Sequence, residues 1–304
     1  MICFPNAKIN IGLHIISRRE DGYHNLETLF YPIGLKDALE IIPTRETKGS
    51  HPAQEQANKK RVITRVTGLS TGPEPWVSDA DTKYRLFQTG LQLAGNPEDN
   101  LVIKAWQLMA THRTLPPIDI HLLKKIPSGA GLGGGSSNAA FMLQLLNNNF
   151  SLGLSNDELA GMAATLGADC AFFIRNQPAL ASGIGDVLEP FDLDLSGYFL
   201  LLVKPDISIA TKEAYSLVTP KIAELSLREI VKKPVSEWKE WLKNDFEPVI
   251  FKKYPEIYRI KKQLYDLGAV YASMSGSGSS VYGLFREEPE WQNSFREHFV
   301  WSNK

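Results

Sequence analysis

The stretch Gly129-Ala-Gly-Leu-Gly-Gly-Gly135 puts five glycines into seven residues, directly ahead of an apolar helical pattern. Glycine loses more conformational freedom on ordering than any other residue, so this density before an ordered element needs a physical reason. Upstream, Ile118-Asp-Ile-His-Leu-Leu123 alternates as a strand; downstream, Phe141, Met142, Leu145 and Leu146 form a helical stripe. A strand, a glycine turn and a helix leave unpaired amides at the helix start, and anions bind there. Ser136 and Ser137 can cap that helix or reach a phosphate or its metal. Three phosphate loops compete. A Walker A loop needs Lys-Ser/Thr after its second glycine, but Gly135-Ser136 stands there. Gly129-x-Gly131-x-x-Gly134 matches the dinucleotide fingerprint, yet Pro127-Ser128 intervene and no repeated βαβ units follow. A third kind of loop, Pro-x-Gly-x-Gly-Leu-Gly-Gly-Gly-Ser-Ser, needs neither feature. A flexible linker would not run straight into an apolar helix.

The rest of the chain reads as α+β. Ile9, Ile11, Leu13 and Ile15 share one face of a strand, opposite Lys8, Asn10, Gly12 and His14, which predicts a single buried face. Asp21-Gly22 is a hairpin signal. Residues 44–60 and 68–81 are polar and read as exposed loops. Asn96 and Pro97 predict the cap and first residue of a helix through LVIKAWQLMATH. Ser155 and Glu158 form a capping box for a helix that stops at Gly167. Near residue 195 the chain restarts with a buried strand, GYFLLLVKP. Two helical stretches bearing Lys and Trp follow, then YPEIYRIKKQLYDLG, then a strand, a glycine-serine loop and a strand in AVYASMSGSGSSVYGLF. A length of 304 residues favours two domains, expected at 1–194 and 195–304.

Composition narrows the function class. A net charge of −1 gives no sign of a nucleic-acid or membrane-surface binder. Cys3 and Cys170 are the only cysteines, which argues against a disulfide framework or a thiolate zinc site. No HExxH spacing occurs, and no apolar run reaches the about 18 residues of a membrane span. The start, MICFPNAK, lacks the pattern of a signal peptide. A cytoplasmic enzyme is expected, of unspecified oligomeric state.

PSGAGLGGGSSNAA resembles the phosphate-binding motif of the GHMP kinases, the family of galactokinase, homoserine kinase, mevalonate kinase and phosphomevalonate kinase. PNAKINIGLHIISRREDGYHNLETLF resembles the N-terminal motif of the branch that phosphorylates a cytidine diphosphate-linked methylerythritol, in the isoprenoid route that does not use mevalonate. The Gly-Glu-His turn of galactokinases and mevalonate kinases is absent. SMSGSGSSVYGLF is similar to the family's third motif, and LGADCAFFI, ASGIGDVLEP and PEDNLVIKA also fit. The resemblance implies a two-domain α+β architecture with the active site in the interdomain cleft. It implies ATP and Mg²⁺ as cofactors, the metal ligands being unnamed by the sequence, and transfer of the γ-phosphoryl group to the 2-hydroxyl of the acceptor. Another small alcohol as acceptor, a dinucleotide-dependent oxidoreductase resting on GxGxxG, and a non-catalytic nucleotide binder are the alternatives. The presence of both Lys8 and Asp169 speaks against the last.

Residue by residue, the resemblance makes Asp169 the base that receives the hydroxyl proton and Lys8 its cationic partner. By themselves, Asp169 also suits a helix cap or structural ion pair, and Lys8 a solvated strand face. Asn10 shares the face of Lys8 and is expected to hydrogen-bond the acceptor. Tyr23 and Tyr215 are expected to stack on the cytosine, with His24 on its edge; hairpin packing is the plain reading of Tyr23 and His24. Thr211 suits a polar contact there or a helix cap. Asn100, Leu101 and Lys124 are expected near the adenine, although Leu101 also reads as core and Lys124 as a solvated strand end. Pro127, Gly129, Gly131, Gly133, Gly134, Gly135, Ser136 and Ser137 are expected to cradle the phosphates. Ser275, Gly276 and Gly278, within Ser275–Ser280, are expected to close on them, a plain β-turn being the other reading. Two departures stand out: residues 44–81 look longer than the family's usual connection, and Ile184 stands where the family commonly has Arg.

Overall fold

A computed structural model describes residues 1–44, 77–78, 83–93, 96–221 and 225–304. The long polar segment noted above therefore lies, apart from Thr44 and residues 77–78, outside the described residues. The chain opens with β1 (Ile2–Cys3) and a hairpin of β2 (Asn6–Arg18) and β3 (His24–Lys36). Arg18 pairs with His24 across the Asp21-Gly22 turn, as the turn signal predicts. Next come β4 (Ala38–Pro43), β5 (Val77–Ser78), β6 (Tyr84–Gly90), helix α1 (Leu101–His112) and β7 (Ile118–Lys124). They form a five-stranded sheet in the order β1-β4-β7-β6-β5. Helices α2 (Gly134–Asn149), α3 (Asn156–Leu166) and α4 (Cys170–Arg175) follow. One core lies between this sheet and the helices, where Leu39, Ile41, Leu86 and Ile120 meet Trp106, Met109, Met142 and Leu146.

Strands β8 (Ala179–Ser182) and β9 (Val187–Pro190) extend the hairpin into a second sheet, β2-β3-β8-β9. The remainder contains β10 (Phe199–Lys204), α5 (Thr211–Leu217), α6 (Leu227–Val231), α7 (Val235–Trp241), α8 (Glu247–Lys253) and α9 (Pro255–Asp266). β11 (Tyr271–Met274), β12 (Val281–Phe285) and β13 (Phe299–Ser302) complete a third sheet, β11-β12-β10-β13. Among the described strands β6 and β7 are the one parallel pair, so the glycine loop does not sit in a doubly wound sheet. The dinucleotide fingerprint thereby loses its structural context.

Two local expectations are corrected. The helix expected at Pro97 starts at Leu101. Asn96 caps only a 3₁₀ turn, Pro97–Asp99, and Asn100 is extended at ψ 125°. Its Oδ1 accepts from the Val102 amide at 2.9 Å, so the nearer asparagine wins the cap. Strand β2 is buried on both faces from Asn6 to Leu13, not on one. Ile9 and Ile11 enter one core with Leu202 and Leu284, while Leu13 and Ile15 enter another with Val203 and Ile257. A register shift between Ile11 and Leu13 makes the change, with Gly12 at φ +67°. The positive φ favours glycine at position 12, and a Cβ there would also press on the Cδ1 atoms of Leu227 and Leu242 at 2.5 Å. The capping box of α3 forms as expected, Ser155 and Glu158 each accepting from the other's amide; Ser155→Ala should cost about 1 kcal/mol in urea unfolding.

His14, also buried on β2, carries a pH prediction. Burial lowers its pKa from 6.5, aided by Lys221 and opposed by Asp245 and Glu27. Between the two values the unfolded chain binds more protons, so stability is full above about pH 6.5 and falls as pH drops through the folded value. The urea midpoint of wild type should decline more steeply below pH 6.5 than that of His14→Gln; equal slopes would contradict this.

Candidate active site

Strand β7 delivers the chain to a cleft of about 530 Å³ between the glycine loop and the loops of the third sheet. Gly129, Gly131 and Gly133 all have positive φ, alternating with Ala130 and Leu132, an arrangement that turns successive amides to one side. Gly133 is the N-cap of α2 and no side chain caps the helix. Ser136 and Ser137 are thus not its caps; both lie inside its first turn, because the left-handed Gly133 starts the helix at Gly134. The sixteen residues of α2 set a positive dipole end against the amides of Gly134, Gly135 and Ser136, all cleft residues. Ser137 is fully buried, and its hydroxyl has no hydrogen-bond partner among the described residues.

The glycines divide their work. A Cβ on Gly131 would collide with the carbonyl of Ser275, and one on Gly129 with the hydroxyl of Ser208. These two glycines let the loops of the third sheet approach, a role the phosphate reading did not include. Ser275 Oγ donates to the Gly131 carbonyl at 2.8 Å and accepts from the Asn10 amide at 3.2 Å. Ser275 is fully buried there, while Gly276 and Gly278 line the cleft.

Lys8 and Asp169 meet in the same place. The Lys8 amide donates to the Leu132 carbonyl at 3.0 Å, tying β2 to the glycine loop. Its ammonium lies 3.3 Å from Asp169 Oδ2, with side-chain exposures of 4% and 32%. It also donates to Asn10 Oδ1 at 2.5 Å and sits 4.6 Å above the Phe30 ring. Asn10 in turn donates to Thr28 Oγ1 at 3.0 Å. Lys8 therefore does not lie on a solvated face. Asp169 precedes α4 but makes no capping bond, which removes the helix-cap reading. Its carboxylate opens on the cleft. The Tyr215 phenol is pushed up to about 12 by burial and by the Asp169 charge.

Lys124 lines the cleft, and burial of its side chain removes the plain reading of it as a solvated strand end. Its ammonium pairs with Asp37 and donates to Asn138 Oδ1 at 2.9 Å. Burial lowers its pKa and Asp37 opposes that. Asp37 also accepts from the amides of Lys125 at 2.7 Å and Ile126 at 2.9 Å, so one carboxylate anchors the approach to the glycine loop. Asp37 and Asn138 escaped the sequence reading because nothing local marks a pair 101 positions apart. Asn100 and Leu101 line the cleft, and the buried Asn100 Nδ2 has no hydrogen-bond partner among the described residues. Pro127 and Thr211 also line it; Ala210, not Thr211, is the N-cap of α5.

His24, which is not itself a lining residue, stacks on the cleft residue Tyr215 with centroids 5.1 Å apart and planes at 28°. Tyr23 is 62% exposed at the hairpin tip and makes no ring contact with Tyr215. The expected pair of flat faces is thus one stack, His24 on Tyr215, with Tyr23 outside it. Burial lowers the His24 pKa, with help from Arg18, which favours a neutral ring. Ile184 occupies the turn between β8 and β9, and its amide donates to Asp186 Oδ1 at 3.1 Å.

For a divalent metal, the described residues contain no cluster of three His, Cys, Asp or Glu. Mg²⁺ needs few protein ligands beside phosphates and water. The Ser136 hydroxyl and the Asp169 carboxylate are oxygen donors on the cleft wall that suit it.

Sequence models of the GHMP kinases N terminal domain and the GHMP kinases C terminal region match residues 100–177 and 226–299. A protein of Bacteroides thetaiotaomicron named 4-diphosphocytidyl-2-C-methyl-D-erythritol kinase is 54% identical over 290 residues, covering 95% of this chain and 93% of its own. One of the same name from Parabacteroides distasonis is 49% identical, covering 100% and 99%. A crystal structure of 4-(cytidine 5'-diphospho)-2C-methyl-D-erythritol kinase superposes with a TM-score of 0.73 at 28% identity, over 99% of this chain and 98% of that one. A mevalonate kinase at 14% identity shares the fold, with a TM-score of 0.66 over 99% and 98%.

Proposed function

The chain belongs to the GHMP kinase family, and on that premise we propose that it transfers the γ-phosphoryl group of ATP to the 2-hydroxyl of 4-diphosphocytidyl-2-C-methyl-D-erythritol. The observation that carries the chemistry is the 3.3 Å pair of Lys8 and Asp169 beside a helix start with free amides. Phosphoryl transfer is mainly positioning and charge stabilisation. The amides of Gly134, Gly135 and Ser136 hold phosphate oxygens at the positive end of α2. Asp169 accepts the proton of the acceptor hydroxyl, and the Lys8 ammonium beside it stabilises the developing alkoxide. Asn10 orients the Lys8 ammonium through its 2.5 Å contact. The Ser136 hydroxyl and the Asp169 carboxylate would hold a Mg²⁺ ion together with water and phosphate oxygens, and its charge would offset that of the phosphates.

Asn100 and Leu101 receive the adenine, a role supported by the unpartnered Asn100 amide. Tyr215, Tyr23 and His24 receive the cytosine. Stacking on an aromatic face is worth roughly 1–3 kcal/mol per base. Because His24 covers Tyr215 in this structure, the base enters by displacing or extending that stack. Tyr23→Ala should raise the acceptor KM about tenfold, with turnover at saturation little changed; lost turnover at an unchanged KM would contradict stacking. The domain boundary falls between residues 194 and 195, supported by the third sheet drawing all its strands from beyond Phe199. No helix among the described residues is long and apolar enough to cross a membrane. The reading is tested by coupled ADP release: turnover with the cytidine-bearing alcohol, and none with mevalonate, homoserine or galactose, supports it. Turnover with one of those alcohols instead would overturn it.

A further inference from the structure

The segment Trp241-Leu-Lys-Asn-Asp-Phe-Glu-Pro248 has no role in the reading so far, yet it buries four consecutive residues, Asn244 to Glu247, three of them polar. Buried polar groups are costly unless each is satisfied, so their partners indicate what they are for. Asn244 is 2% exposed. Its Nδ2 donates to two backbone carbonyls, those of Met274 and Gly276, each at 2.8 Å. Its Oδ1 accepts from the Phe246 amide at 3.0 Å. The two carbonyls flank Ser275, the residue whose hydroxyl joins the Asn10 amide to the Gly131 carbonyl.

Neighbouring bonds hold Asn244 in place. The Leu13 amide donates to the Lys243 carbonyl and the Asp245 amide to the Leu13 carbonyl, both at 2.9 Å, beside the Gly12 register shift. Asp245 Oδ2 accepts from the Ile15 amide at 2.9 Å. Glu247 accepts from the Met274 amide at 2.9 Å and from Lys261 at 2.6 Å. Asn244 is thus fixed to β2 on one side and grips the 274–276 backbone on the other.

We propose that Asn244 is a positioning residue for the ATP side of the cleft: its amide holds the Ser275–Gly278 loop against the glycine loop. This rests on the kinase reading above. Asn244 is buried and lies off the cleft wall, so carbonyls that point to it point away from the phosphates. Without its two donors, the Gly276 oxygen is free to turn towards the anion and repel it, while the Met274 oxygen keeps only the Ser273 hydroxyl at 3.3 Å. The acceptor side touches Asn244 through its other atom: Oδ1 holds the Phe246 amide, and the Phe246 ring packs edge-on against Tyr215 at 5.0 Å, while the Asn10 side chain is held separately by Lys8 and Thr28. The effect of losing the donors while keeping that oxygen should therefore be one-sided.

Asn244→Asp has the same shape and keeps the bond from the Phe246 amide, but removes both donors and sets a charge against two carbonyls. Measured on the full chain, kcat/KM for ATP should fall about 10²-fold, the usual cost of a misplacement near 1 Å. The KM for the cytidine-bearing acceptor should stay within about threefold of wild type. Asn244→Ser, which retains one donor, should fall between the two. A purely structural role would lower the melting temperature and leave both KM values of the folded enzyme unchanged, and that result would overturn the proposal, as would equal changes in the two KM values. Should the Asp variant not fold, Asn244→Ser must itself show the split in weaker form; a symmetric loss would overturn the proposal equally. Wild-type turnover separates the two levels: no transfer by wild type sinks the kinase reading, whereas normal transfer with an unaffected Asn244→Asp sinks this inference alone.

Discussion

Asp169→Asn is expected to lower turnover by about 10²–10⁴-fold, the span associated with a positioned general base. The amide fills the same space but cannot take the proton of the acceptor hydroxyl, and it removes the negative partner of Lys8. The fold should survive for three reasons. Asp169 makes no cap bond to α4. Its side chain faces the cleft and solvent. Lys8 also keeps the Asn10 oxygen and the Phe30 ring as partners. The comparison to make is turnover at saturating ATP and acceptor against the urea midpoint. Loss of turnover with a retained midpoint matches the assigned role. Near-full turnover would place the base elsewhere.

Asp37→Ala should have the largest effect on stability. Its carboxylate is fully buried and serves four donors: the Lys124 ammonium, the Asn138 amide and the backbone amides of Lys125 and Ile126. Removing one member of a buried pair costs about 3–5 kcal/mol, because the other charge stays behind without compensation. Lys124 would keep only Asn138. Two backbone amides at the entrance to the glycine loop would also lose their acceptor. The double variant Asp37→Ala/Lys124→Met removes the stranded charge and should recover much of the loss. Chemical denaturation of the single and double variants checks this; a double variant less stable than Asp37→Ala would contradict it.

The glycine loop, the hairpin turn and the capping box were legible in the sequence because each is local. Asp21-Gly22 forms its turn and Ser155-Glu158 its box whatever surrounds them. The pairing of Lys8 with Asp169 could be anticipated only through resemblance, since no rule of spacing joins residues so far apart. What stayed hidden was set by tertiary context. Alternation along β2 correctly marked a strand, but not that Lys8 and Asn10 would be covered by the glycine loop on the face opposite Ile9 and Ile11. Nor could it show the slip at Gly12 that sends Leu13 to a different core. Lys124 ends a strand, a position that ordinarily favours solvent; Asp37, in the tight connection between β3 and β4, reverses this. Gly129 and Gly131 point in sequence to phosphate contacts alone, and nothing in their neighbourhood in sequence shows that their lack of a Cβ also admits Ser208 and Ser275. The short strand β13 and the two donors of Asn244 carry no periodic signal at all.

The most direct measurement is a crystal structure of the chain with a non-hydrolysable ATP analogue and 4-diphosphocytidyl-2-C-methyl-D-erythritol. The acceptor's 2-hydroxyl should lie within hydrogen-bonding distance of an Asp169 carboxylate oxygen, with the terminal phosphate against the amides of Gly134 to Ser136 and the Lys8 ammonium beside both. A hydroxyl out of reach of Asp169, or a triphosphate seated away from the start of α2, would contradict the assignment.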